Sequence, residues 1–219
     1  MIKDKVPQNT LVQIQQHLIR NSRISEKRWH SVKDEEDSCT GDFCGQLSSD
    51  WTKFHPDDEQ AGRWRIKYRK FGSKRNALEP LIGADGIIQI AIFNSFNEPI
   101  FRKGLLFQAK KEPIKKKKEL LGQITNMNEF TPEKGNSVFV FGENGYYGMS
   151  SKTYSKNPIS RDFEKKDFIG NFLANEFMEC NVGLEGLYFS VTKNVLYIPR
   201  RVPLPVHLQH NMIIEIENS

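Results

Sequence analysis

Two apolar runs joined by a short turn constrain this chain more than any other feature. Asp85 to Asn94 (DGIIQIAIFN) is rich in Ile, and Gly104 to Lys111 (GLLFQAKK) leads with apolar residues and ends on two lysines. β-Branched and aromatic side chains suit a pleated, buried surface, so both runs read as strands and the first as a central one. Asn97-Glu98-Pro99 turns the chain between them. A third run, Gly62 to Phe71 (GRWRIKYRKF), alternates. Trp64, Ile66 and Tyr68 take one face, and Arg63, Arg65, Lys67 and Arg69 the other. The simplest arrangement of residues 62–111 is a hairpin or meander of three strands.

Helical spacing frames these strands. Leu11, Ile14 and Leu18 predict a helix over residues 10–29 with Thr10 as N-cap. Residues 31–42 (SVKDEEDSCTGD) are polar and acidic, and Phe43 to Phe54 reads as a short helix with Leu47, Trp51 and Phe54 inward. Lys115 to Met127 predicts a helix burying Leu120, Leu121, Ile124 and Met127. Asp162 to Cys180 predicts an amphipathic helix burying Phe163, Phe168, Ile169, Phe172, Leu173 and Phe177. Ser137 to Gly142 (SVFVFG) is a buried strand, with Tyr146 to Ser151 beside it. Short strands follow at Leu187 to Val191, Val195 to Pro199 and Met212 to Ile216. Alternating strands and helices without a repeat or linker predict one α/β domain over residues 1–219. It has a helical N-terminal region, 1–55, and accessory C-terminal strands, 185–219.

Hydrophobic residues make up 37% of the chain, enough for a core at 219 residues. No apolar run approaches the roughly 20 residues that cross a bilayer, and Met1 to Asn9 lacks a signal-peptide core. A cytoplasmic protein without membrane contact is expected. The odd number of cysteines (Cys39, Cys44 and Cys180) argues against a secreted disulfide framework. Cys39 and Cys44, flanked by His30 and His55, lack zinc-site spacing. His207 and His210, in a Pro-rich tail, read as surface groups. No G-x-x-x-x-G-K phosphate loop is present.

The chemistry gathers in GLLFQAKK and GADG. Residues two apart on a strand share a face, so Leu106, Gln108 and Lys110 lie together. Asp85 stands between Gly83 and Gly86, where backbone can bend and a metal or phosphate can come close. On antiparallel neighbours, Asp85 meets Gln108 and Lys110. A hard divalent cation takes oxygen ligands, which Asp85 and the Gln108 carbonyl can supply. Such a cation lowers the pKa of bound water, and a lysine beside it positions that water or offsets developing charge. The bland alternative is a turn-capping Asp with Gln and Lys as solvated edge residues.

The order E…GADG…QAK resembles the PD-(D/E)XK nuclease superfamily, in its variant with Gln in place of the third-strand acid, over roughly residues 30–150. The resemblance implies a restriction-endonuclease-like mixed central sheet flanked by helices. It implies Asp85 as central ligand of Mg²⁺ or Mn²⁺, Gln108 as second ligand and Lys110 as catalytic lysine, with the Ala109 carbonyl also touching the metal. An upstream acid completes the set. Glu36 falls where the first-helix acid stands, with Glu35 or Asp37 as substitutes, and Glu79 competes from just before GADG.

The implied activity is metal-dependent endonucleolytic cleavage, with double-stranded DNA as the expected substrate and an anti-phage defence or restriction system as the setting. Nucleases that cut both strands often dimerise, so a homo-oligomer or a partner protein of that system is part of the expectation. The net charge of +5 is compatible with nucleic acid. Lys111 and Lys115, Lys116, Lys117 and Lys118 follow the site strand and are candidate phosphate contacts. The rival reading is a catalytically silent module that binds nucleic acid or protein.

Overall fold

The computed structural model describes residues 1–72, 82–156 and 167–219. Helices α1 (Gln8–Lys27), α2 (Trp29–Val32) and α3 (Glu36–Leu47) precede strands β1 (Ser49–Lys53), β2 (Gly62–Lys70), β3 (Gly86–Phe93) and β4 (Pro99–Lys111). Then come α4 (Lys117–Phe130), β5 (Asn136–Gly142), β6 (Gly145–Ser150), α5 (Ser151–Lys156), β7 (Asp167–Phe168) and α6 (Ile169–Asn171), which runs on as a π-turn over Phe172–Phe177. The tail adds β8 (Leu184–Glu185), β9 (Tyr188–Ser190), β10 (Val195–Tyr197), β11 (Leu204–Pro205) and β12 (His210–Asn218).

Among the described residues the main sheet runs β1-β2-β12-β3-β4-β5-β6-β7, with β8 also pairing with β4, and β11-β10-β9 form a smaller sheet. The β12–β3 and β4–β5 pairs are parallel and the rest antiparallel. The fold is therefore α/β with a mixed central sheet flanked by helices.

β3 and β5 are enclosed on both sides, which is why they read as continuous apolar runs rather than as alternation. One face packs Ile88, Ile90, Leu105, Phe107 and Phe139 against α1, α3 and the Phe172–Phe177 turn. The opposite face packs Ile87, Leu106, Val138 and Val140 with α4 residues Leu120, Ile124 and Met127 and with the small sheet. Among the described residues no helix is long and apolar enough to cross a membrane.

Four expectations change. The three-stranded meander does not form: β12 lies between β2 and β3, antiparallel to the first and parallel to the second. The tail strand is thus a structural member of the sheet, a long-range pairing that local patterning does not specify. Thr10 is not the N-cap, because Pro7 holds that position. Instead Asp58 accepts the Thr10 N–H at 3.0 Å and its hydroxyl at 2.6 Å, so a distant loop satisfies the first turn. Phe43 to Phe54 divides between α3 and β1. Trp51 sits on the strand under Arg63 and Arg65, whose guanidinium carbons lie 4.3 and 4.1 Å from the ring centre. Finally, Asp167 and Phe168 pair with β6 before the helix begins at Ile169, which leaves Phe168 43% exposed. Phe163 lies outside the described residues.

Candidate active site

The sheet order brings the start of β3, the start of β12 and the end of β4 to one edge. In the antiparallel β3–β4 pair Gly86 is opposite Phe107, which places Asp85 across from Gln108. Backbone bonds hold Asp85 on both sides. Its N–H donates to the Phe107 carbonyl at 2.9 Å, and its carbonyl accepts the N–H groups of Gln209 at 2.9 Å and His210 at 3.1 Å.

The flanking glycines serve packing rather than ligand approach. Gly83 has φ +75°, and a Cβ there would lie 2.4 Å from the Gln123 carbonyl of α4. A Cβ on Gly86 would lie 2.5 Å from the His210 carbonyl and from the Phe107 ring.

The Asp85 carboxylate reaches over β4. Its Oδ2 accepts the Ala109 N–H at 2.8 Å and the Gln108 side-chain amide. Gln108 is 1% exposed, so it is no solvated edge residue. Its Oε1 is buried and meets no donor, while its Nε2 also approaches the Ala109 carbonyl at 3.3 Å. A buried acceptor without a donor costs about 1–3 kcal/mol, an arrangement that calls for an explanation.

Burial pushes the Asp85 carboxyl up to about 7, against the pull of Lys110 and the Ala109 N–H and with the push of Glu36. Asp85 as a residue is half-buried rather than enclosed, which tempers the penalty.

Lys110 Nζ stands 3.2 Å from Glu36 Oε1, and Glu36 Oε2 accepts the Lys111 N–H at 3.1 Å. Asp85, Gln108, Lys110 and Glu36 thus share one neighbourhood. Glu36, at the start of α3, engages Lys110 rather than converging with Asp85 on one point. Glu79 lies outside the described residues.

Lys111 points away from this cluster, and its Nζ donates to the carbonyls of Lys33 at 2.6 Å and Asp34 at 3.1 Å. Lys115 to Lys118 are exposed at the entry to α4, and Lys116 pairs with Glu119 at 3.0 Å. Cations at a helix N-terminus oppose its dipole, so helix stability does not account for them.

His210 lies beside the site and is 1% exposed, contrary to its reading as a surface group. Its Nδ1 and the Tyr68 hydroxyl are 2.7 Å apart. Its Nε2 is 2.8 Å from Asp37 Oδ1, within ion-pair reach. Asp37 Oδ2 meets Lys70 at 2.5 Å. Burial pushes the imidazole below its usual range, against the pull of Asp37. Burial also opposes ionisation of Asp37, but Lys70 and His210 outweigh it and hold that carboxyl below the usual range. The network fastens the start of α3, and with it Glu36, to the sheet edge. Its partners are far apart in sequence and converge only once β12 enters the sheet, so no local signal marks them.

Among the described residues no group of three or more His, Cys, Asp or Glu is placed to hold a metal ion. A hard cation here would rest on Asp85 and on amide and carbonyl oxygens. The residues present fit that role: Gln108 Oε1 is a buried acceptor without a donor, and the half-buried Asp85 carboxylate lies against the same amide.

No protein-family model, curated protein or solved structure matches this chain.

Proposed function

We propose that the chain is a Mg²⁺- or Mn²⁺-dependent endonuclease that hydrolyses phosphodiester bonds in DNA. The observation that carries this reading is the meeting of Asp85, the donorless Gln108 carbonyl and Lys110 at one sheet edge, beside Glu36. Asp85, Gln108 Oε1 and the Ala109 carbonyl are the candidate metal ligands. When bound, the ion supplies an acidified water and charge neutralisation at the phosphorus.

The chain's own groups do the rest. Lys110 orients the attacking water or offsets charge on the phosphoryl oxygens. Glu36 keeps the lysine at the site, and Lys115 to Lys118 hold flanking phosphates. A role as a restriction or anti-phage effector, acting as a homo-oligomer or beside a partner protein, suits an enzyme of this kind.

Plasmid cleavage with Mg²⁺ or Mn²⁺ tests the proposal. Asp85→Ala and Lys110→Ala are expected to lose about 100-fold or more in rate. Full activity in both variants would sink the assignment. A second reading, a catalytically silent nucleic-acid-binding module, draws on the amide at position 108 and on the internal bonds that occupy Asp85 Oδ2. It predicts salt-sensitive binding without metal-dependent cutting.

A further inference from the structure

A cavity of about 660 Å³ opens over the second sheet face, further along β3 than Asp85, and lies within the usual range for small-molecule sites. β2, β12, β3 and β4 contribute to it, and β9 forms one wall.

Its charge is one-sided. Lys67, Arg69 and Arg102 line it against a single carboxylate, Glu215. That carboxylate is already engaged by Lys67 at 2.6 Å and, from beside the cavity, by Arg65 at 2.7 Å. Arg69 and Arg102 have no carboxylate partner among the described residues.

The Arg102 guanidinium lies over an aromatic pair. Its central carbon lies 4.2 Å from the Tyr188 ring centre, and Tyr197 stacks on Tyr188 at 4.4 Å with a 5° interplanar angle. Two groups that close to one ring must lie on opposite sides of it. The result is a three-layer stack, Arg102 over Tyr188 over Tyr197, and the half-buried guanidinium has no hydrogen-bond or ion-pair partner among the described residues. A guanidinium presented in this way stacks on an aromatic ring and binds phosphate through its edge.

The floor is polar and built. Gln89 and Asn211 are each 3% exposed. Gln89 Nε2 donates to Asn211 Oδ1 at 2.6 Å, which fixes the Asn211 amide orientation. Asn211 Nδ2 is left with no acceptor among the described residues.

We propose that this cavity binds a nucleoside phosphate, with the base against the Arg102 stack and the phosphate met by Arg69, Arg102 and the Asn211 amide. The site is separate from Asp85 and does not depend on the nuclease reading.

Titration calorimetry on the full chain tests it, with AMP, GMP, CMP and UMP, a 5′-phosphorylated dinucleotide, adenosine and inorganic phosphate as probes. At least one mononucleotide or the dinucleotide is expected to bind saturably. Adenosine and phosphate alone should each bind about tenfold or more weaker, since one lacks the phosphate and the other the base. Arg102→Ala and Asn211→Asp should each weaken binding about tenfold, the loss of one charge-assisted bond or its replacement by repulsion. Asn211→Asp keeps the acceptor for Gln89.

Arg69 is exposed, so Arg69→Gln places no fold at risk, and it should also weaken binding. Asp85→Asn should leave it unchanged. Binding by the dinucleotide alone, abolished by the same substitutions, assigns the site to the end of a strand. No saturable binding by any nucleotide, binding indifferent to Arg102→Ala and Arg69→Gln, or inorganic phosphate binding as tightly as the nucleotides would overturn the proposal.

Discussion

Gln89 and Gln108 stand on neighbouring strands, on the same face of the sheet, and are 3% and 1% exposed. Their amides are used differently. Gln89 employs both ends: Oε1 accepts the Phe189 N–H at 3.0 Å, and Nε2 donates to Asn211 at 2.6 Å and to the Phe189 carbonyl at 3.3 Å. It stands in for a backbone rung and ties β9 to the sheet. Gln108 donates to Asp85, while its own oxygen receives nothing. Two residues of the same type and burial therefore do different jobs. The unmatched acceptor, not the burial, sets Gln108 apart.

Leucine at each position is the strongest way to break this comparison. Gln108→Leu is expected to reduce metal-dependent cleavage about 100-fold while changing unfolding free energy by no more than about 1 kcal/mol, because it removes a donorless acceptor along with one useful bond. Gln89→Leu is expected to cost roughly 2–4 kcal/mol by stranding both polar groups of Phe189 and the Asn211 oxygen, with activity per folded molecule intact. Denaturant titration and plasmid cleavage on both variants read the two effects. Equal stability losses would erase the distinction.

The same contrast separates what a sequence discloses from what it hides. β3, β4 and β5 are legible because their apolar runs are local, and the Asp85–Gln108 adjacency follows from strand period and one turn. β12 is not legible as a central strand. HNMIIEIEN reads as an ordinary half-buried strand, and nothing local says that it inserts between β2 and β3. The His210–Asp37–Lys70 network is hidden for the same reason. Gln89 carries no local signal either, since an amide inside an Ile-rich run gives no sign of the backbone it will meet.

A sharper test gives Gln108 the charge it lacks. Gln108→Glu adds a second carboxylate beside Asp85, and calorimetry should show Mn²⁺ binding tightened about tenfold or more, as added ligand charge tightens hard-cation sites. Without metal the same variant should be less stable than wild type, because two carboxylates then share one buried pocket. A cation affinity unchanged by this substitution would count against Gln108 as a ligand.

Asp85 itself gives a pH signature. Its folded pKa, about 7, lies above the value of about 4 for an unfolded Asp. The folded state therefore holds the proton more tightly, and without divalent cation stability should fall as pH rises from about 4 to 7, then level off. Asp85→Asn should remove this slope and raise stability at neutral pH by roughly 1–3 kcal/mol, discounted for the solvent that reaches the residue. Thermal melts across that window check it. A slope that persists in Asp85→Asn would assign the titration elsewhere.

The smallest expected effect separates the lysines from the site they adjoin. Lys115, Lys117 and Lys118 sit where a helix dipole disfavours cations, and none forms an ion pair among the described residues. Replacing these three with Gln should stabilise the helix start by about 0.3–1 kcal/mol in total, since the gain from the dipole is screened at an exposed terminus. If they hold phosphates, the same variant should bind DNA more weakly and flatten the dependence of log affinity on log salt by about 0.9 for each phosphate no longer neutralised. A gain in melting temperature together with a shallower salt slope identifies cations kept at the expense of the helix. A gain in stability with the salt slope unchanged would make them an ordinary solvated face.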